Sequence, residues 1–269
     1  MRALALLPVL LAVAAPAAAQ EPPEGYRLTW ADEFDAPGLP DPARWTHDTH
    51  ANRTGWYNNE RQYYSAARLQ NARVEDGLLI VEARHEAPDA PDSGGQAYTS
   101  ARLLSRDGWT YGLYEVRAKL PCGRGTWPAI WMLPVDLEDW PLDGEIDIME
   151  HVGHDPGVIH GTAHTQAYNH VIRTQKEGIV AVPDACDAFH RYQVRWTPEA
   201  VVFAIDDADY YRFDNDGAGV KATWPFDVPF QIILNIAVGG DWGGAEGIDD
   251  DAFPQRMEID YVRVFQPAG

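Results

Sequence analysis

The chain has 269 residues, 45% hydrophobic and 11% aromatic, and 41 acidic against 21 basic side chains give a formal net charge of −20. That length suits one large domain, and the charge excludes nucleic acid and anionic lipid as natural partners because both would be repelled. No internal repeat or low-complexity linker divides the sequence, so a single unit acting as a monomer is expected.

The first nineteen residues read as an export leader. Arg2 precedes an Ala/Leu/Val run that closes on Ala17-Ala18-Ala19, the small-residue pattern that signal peptidase cleaves. Cleavage before Gln20 would release residues 20–269 as a secreted domain, periplasmic or extracellular. The apolar run is short and Ala-rich for a membrane span and no second one succeeds it, so no membrane association is expected.

Strand signals dominate the rest of the chain. From Tyr111 to Leu120, Tyr114, Val116, Ala118 and Leu120 alternate with Leu113, Glu115, Arg117 and Lys119, the pattern of a strand with one buried face. Cys122 and Cys186 are an even pair, which permits a disulfide in an exported protein and is equally compatible with two thiols. Ten tryptophans are many for this length, and an indole offers a flat face to the C–H side of a pyranose ring. Trp127 and Trp131, around Pro128, could line a cleft, as could Trp242 in the GGDWGG run, where glycines allow close approach of a ligand. Each could equally be a core anchor, the role expected of Trp30, Trp45, Trp109 and Trp196.

The stretch Gly144-Glu145-Ile146-Asp147-Ile148-Met149-Glu150-His151 is the most informative, because three carboxylates interrupt an apolar strand. On a regular strand Glu145 and Asp147 share a face and Glu150 points away. A bulge at Ile148 or Met149 would restore the parity and bring all three to one cleft, while Ile146, Ile148 and Met149 pack into the core behind. Retaining glycoside hydrolysis needs two carboxyl groups about 5–5.5 Å apart, one as nucleophile and one as acid. A third carboxyl between them would hold a proton and help keep one neighbour ionised and the other protonated. The plainer readings are a solvated strand face or a structural metal site.

His160 and His164 are four apart, but no Glu lies between them and the Gly-Thr context favours a strand, so they share a face rather than forming a helical zinc motif. Tyr192, Val194 and Trp196 alternate again, Val201 to Ile205 leads into Asp206-Asp207-Ala208-Asp209 as a hairpin, and Gln231 to Val238 and Met257 to Phe265 add strands. No segment shows a helical apolar stripe. Many short strands with turn residues between them argue for an all-β, two-sheet sandwich.

The run GEIDIMEHVG resembles the E-x-D-x-x-E signature of glycoside hydrolase family 16, in the version with the extra residue. WADEFD, WYNNERQYYS, YTSARL, GTWPAIWMLP, HGTAHTQAYNH, LNIAVGGDWGG and MEIDYVRVFQ extend the likeness over nearly the whole mature chain, closest to the bacterial laminarinases. The resemblance implies a jelly roll of two curved antiparallel sheets with a concave cleft, and retaining endo-β-1,3-glucanase activity on β-glucan with no organic cofactor. It implies Glu145 as nucleophile, Asp147 as its assistant and Glu150 as acid/base. It places Asn58, Glu60 and Arg102 against glucose units on the non-reducing side, Trp127, Trp131 and Trp242 against sugar faces, and His164 near the carboxylates. It also implies a structural calcium on the convex side, held by Glu33, the Gly77 carbonyl and Asp260. Asp249-Asp250-Asp251 is a rival cation site, though such runs usually form solvated loops. An agarase or carrageenase on the same scaffold is disfavoured by the acidic charge. A non-catalytic glucan-binding relative would usually have lost the glutamates that are present here.

Overall fold

The computed structural model describes residues 21–269, and the leader expected over residues 1–19 lies outside them. Two sheets face each other. The outer, ten-stranded sheet runs in the order Ala208–Asp214, Ala200–Ile205, His190–Trp196, Gly112–Lys119, Gln255–Pro267, Leu78–His85, Tyr98–Ser100 and Gln62–Tyr64, with Tyr26–Asp32 and Ala72–Glu75 attached at its sides. The inner, seven-stranded sheet runs Lys176–Ala181, Val158–His164, Glu145–Glu150, Thr126–Pro134, Phe230–Val238, Arg102–Ser105 and Trp45–His47. Neighbours pair antiparallel except Gln62–Tyr64 with Tyr98–Ser100, which is parallel. Helix among the described residues is confined to single 3-10 turns such as His170–Ile172, and none is long and apolar enough to cross a membrane.

The core between the sheets is built from the inward residues of both. Tyr114, Val116 and Ala118 from the outer sheet and Ile130, Met132, Ile146, Ile232 and Leu234 from the inner sheet are all fully enclosed. The expected one-sided burial of Gly112–Lys119 holds only in part, since Leu113 and Glu115 are buried as well. Leu113 pairs with Phe265, while Gln193 and Tyr261 cover Glu115 from the flanking strands. The hairpin at Asp206-Asp207 has both central residues at positive φ, 51° and 70°, the two-residue turn whose twist matches its strands. Cys122 and Cys186 form a disulfide with Cα atoms 5.9 Å apart, tying the end of one outer strand to the loop before the next.

The residues expected to hold calcium lie on the outer sheet. Ladder register brings the segments carrying Glu33, Gly77 and Asp260 together on the outer sheet, since Leu79 pairs with Ile259 and Asp32 with Val262. Three of the four side-chain oxygens are already engaged. Glu33 accepts from Arg263 Nε at 2.8 Å and Nη2 at 2.9 Å, and Asp260 accepts from Arg117. A hard cation needs those oxygens and would be repelled by both guanidinium groups, so the expected donor set does not fit calcium. At the rival run, Asp250 accepts from the Tyr98 hydroxyl and Asp250–Ala252 is a single turn.

Candidate active site

Glu145–Glu150 lies between Thr126–Pro134 and Val158–His164 in the inner sheet. Gly144 enters it at φ 90°, and a Cβ there would stand 2.6 Å from Pro225 Cγ, so a side chain is excluded on both counts. Asp147 is opposite Trp131 and Met149 opposite Ile130, leaving Ile148 as the extra residue of a bulge. On the other side Asp147 faces Thr162 and Glu150 faces His160. Ile146, Ile148 and Met149 are buried in the core, and Glu145, Asp147 and Glu150 all line the cleft.

Each outer glutamate is held by an indole. Trp140 Nε1 donates to Glu145 Oε2 at 2.9 Å, and Trp127 Nε1 donates to Glu150 Oε1 at 2.9 Å. Asp147 sits between them, 2% exposed, with His164 Nε2 3.4 Å from its Oδ2 and 3.9 Å from Glu145 Oε1. Burial raises Glu145 to about 7, restrained by hydrogen bonds from Asp147 and Trp140 and by the charge of Arg102. Burial and then the charge of Glu145 raise Glu150 to about 8. Burial, followed by the charges of Glu145 and Glu150, pushes Asp147 well above the usual carboxylate range. His164 offers no compensating charge, because burial and then His170 pull it down to about 3. Asp147 therefore keeps its proton and donates it in a hydrogen bond to Glu145.

The cleft has a volume of about 790 Å³. Along one arm, Arg102 is stacked between Trp56 at 5.1 Å and Trp131 at 4.7 Å and pairs with Asp48 at 3.0 Å. Trp131 Nε1 donates to Asn235 Oδ1 at 2.7 Å, and Asn235 Nδ2 donates to the Tyr64 hydroxyl at 3.0 Å. Glu60 accepts from Gln62 at 2.7 Å, and burial raises it to about 7 against the pull of Gln62, Arg102 and Asn58. Asn58 presents its carbonyl to the Asp241 N–H at 2.8 Å, and Gly240 beside it is at φ 77° with little room for a Cβ, which would lie 3.0 Å from that carbonyl. Trp242 meets Trp127 edge-on at 5.3 Å and His160 edge-on at 4.8 Å.

Of the residues singled out in the sequence, Asn58, Glu60, Arg102, Trp127, Trp131, Glu145, Asp147, Glu150, His164 and Trp242 all line this one cleft. Glu33, Gly77 and Asp260 lie elsewhere, on the outer sheet. Trp140, Asn235 and Glu177 also line the cleft and were not expected there, and His160 joins them on the face it shares with His164. Asn235 carried a signal, a lone amide in an apolar strand, and Trp140 lay five residues before Glu145. Glu177 carried none. Donor atoms of Glu145, Asp147 and His164 lie within 4.8 Å of one another, as do those of Cys122, His151 and Cys186, but the sulfurs of the second group are in the disulfide.

The family described as glycosyl hydrolases family 16 matches residues 51–263. The chain belongs to this family. A beta-glucanase of Rhodothermus marinus is 53% identical over 252 residues, covering 90% of this chain and 85% of the relative. The crystal structure of the laminarinase from Rhodothermus marinus superposes with a TM-score of 0.84 at 51% identity, over 91% of this chain and 98% of that one. A non-specific endo-β-1,3(4)-glucanase of the same family gives a TM-score of 0.89 at 53% identity, over 91% and 92% of the two chains. The fold of this family 16 hydrolase is thus the expected two-sheet jelly roll.

Proposed function

We propose that this family 16 hydrolase is a secreted, retaining endo-β-1,3-glucanase acting on laminarin-type β-glucan. The observation that carries the reading is the bulged strand that turns Glu145, Asp147 and Glu150 into one cleft. In the first step ionised Glu145 attacks the anomeric carbon while Glu150 gives its proton to the glycosidic oxygen, and the C–O bond breaks. In the second, Glu150 takes a proton from water, the water oxygen attacks the anomeric carbon, and the Glu145 carboxylate leaves. Asp147 donates its hydrogen bond to Glu145, which stabilises the carboxylate both before attack and on departure. These carboxyl groups and water supply every proton and electron pair the two steps require.

Arg102, Asn58 and Glu60 hold the non-reducing side of the glucan, and Trp127, Trp131 and Trp242 supply its aromatic walls. The names of the relatives support glucan as substrate, and the net charge of −20 supports a neutral polysaccharide over a sulfated one. Export is supported by the leader pattern and the disulfide. The test is release of reducing ends from laminarin, lichenan, agarose and carrageenan, with laminarin expected to be cut fastest and lichenan reporting on mixed linkages. Faster cleavage of agarose or carrageenan would overturn the substrate assignment.

A further inference from the structure

The two-step chemistry leaves one pair in the cleft without a role. His160 stands directly opposite Glu150 in the ladder, and its Nδ1 lies 2.7 Å from Glu177 Oε1 on the edge strand Lys176–Ala181. Its ring is edge-on to Trp242, Trp242 is edge-on to Trp127, and Trp127 donates to Glu150. The pair is thus fixed to the acid/base from two directions. With Glu177 accepting at Nδ1, the tautomer that carries its proton there keeps a lone pair on Nε2. Among the described residues no side chain or backbone group hydrogen-bonds that Nε2, and both His160 and Glu177 line the cleft.

The placement of the pair gives it a direction. Arg102 lies three strands to one side of Glu145–Glu150, whereas His160 and Glu177 lie on the first and second strands of the other side. If the retained glucose units occupy the Arg102 arm, the departing sugar crosses His160. Resting on the glucanase reading above, we propose that His160, oriented by Glu177, is a specificity-determining residue for the leaving group. Its Nε2 accepts a hydrogen bond from a hydroxyl of the first glucose unit on the reducing side of the cleaved bond. That bond positions the glycosidic oxygen for the proton of Glu150.

Two substrates with the same glycone separate this role from a structural one: a laminari-oligosaccharide, whose leaving group is a sugar, and a nitrophenyl β-laminaribioside, whose leaving group has no hydroxyl to donate. The readout is the ratio of kcat/KM on the first to that on the second, with melting temperature measured alongside. His160→Ala is expected to lower the ratio about five- to tenfold, the loss of one hydrogen bond to substrate. His160→Gln, which keeps an acceptor near the same place, should recover part of it. Glu177→Gln should lower the ratio less, because an amide oxygen can still accept from Nδ1. An unchanged ratio, with activity intact or reduced equally on both substrates, would overturn the assignment while leaving the glucanase reading standing. Wild-type protein that cleaves neither substrate would remove both.

Discussion

Both faces of this sandwich bury carboxylates, and they surround them differently. On the outer sheet Glu82, Glu115 and Glu258 are 6%, 3% and 6% exposed, and each is matched. Glu82 pairs with Arg73 and Arg84, Glu258 with Lys119 at 3.0 Å and Arg256 at 2.8 Å, and Glu115 accepts from Gln193 and Tyr261. In the cleft Asp147 is 2% exposed and its companions are anchored by neutral indoles. The one arginine that bears on Glu145 is itself paired with Asp48. Cations or neutral donors tie the outer-sheet carboxylates into the fold, whereas the cleft carboxylates, denied a cation, are pushed toward holding a proton they can deliver.

The strongest way to break this contrast is to neutralise the cleft. Glu150→Gln should leave a folded protein with turnover reduced roughly 10²–10⁴-fold, the usual scale of general acid–base catalysis, and Glu145→Gln should cost at least as much. Azide should rescue Glu145→Ala as an α-glycosyl azide and Glu150→Ala as a β-glycosyl azide, since only the second still forms the covalent intermediate. Near-normal turnover in either Gln variant would refute the roles. The matching change on the outer sheet should do the reverse: Glu258→Ala strands Lys119 and Arg256 and should destabilise by about 1–3 kcal/mol in denaturant titrations, with kcat of the folded fraction unchanged.

This division was half visible in the sequence. The three acids within an apolar strand marked the cleft, and the parity conflict between Asp147 and Glu150 demanded a bulge at Ile148 or Met149, which the ladder places at Ile148. Strand alternation pointed to the sandwich, yet it misjudged Leu113 and Glu115, because burial of an outward face depends on which strands flank it and not on local pattern. The calcium expectation lost its footing for a similar reason, since arginines stand at its donors. Glu33 and Asp260 come from the chain's two ends, and only pairing reveals that Arg263 and Arg117 reach them first. Glu177 was invisible because its role comes from contact with His160 across a ladder.

The contrast also sets a pH dependence. The proposed mechanism needs Glu145 ionised and Glu150 protonated, so kcat/KM should peak between about 7 and about 8, falling on the acid side as Glu145 gains a proton and on the alkaline side as Glu150 loses one. Stability has its own sign. Both groups bind protons more tightly folded than unfolded, so their contribution is fully present below the unfolded value, about 4.3, and is lost as pH rises through the folded values. Melting temperature should therefore decline from mildly acidic pH toward pH 8, and Glu150→Gln should flatten that decline and melt above wild type at pH 8. A wild-type melting temperature that rises across this range would contradict the unpaired cleft.

The smallest effect isolates the indoles. The Trp127 N–H lowers the proton affinity of Glu150, and the Trp140 N–H lowers that of Glu145. Trp127→Phe keeps an aromatic wall and removes the donor, so the alkaline limb of the kcat/KM profile should move up by about half a unit to one unit, the worth of one hydrogen bond to a charged group. Trp140→Phe should move the acid limb up by a similar amount and so narrow the profile, where Trp127→Phe widens it. Because the glutamates are coupled, a partial shift of the second limb is expected in each variant, but the limb of the glutamate that lost its donor should move further. Equal displacement of both limbs in both variants would mean that the indoles act on the acid cluster as a whole, and the separate anchoring of nucleophile and acid would have to be abandoned.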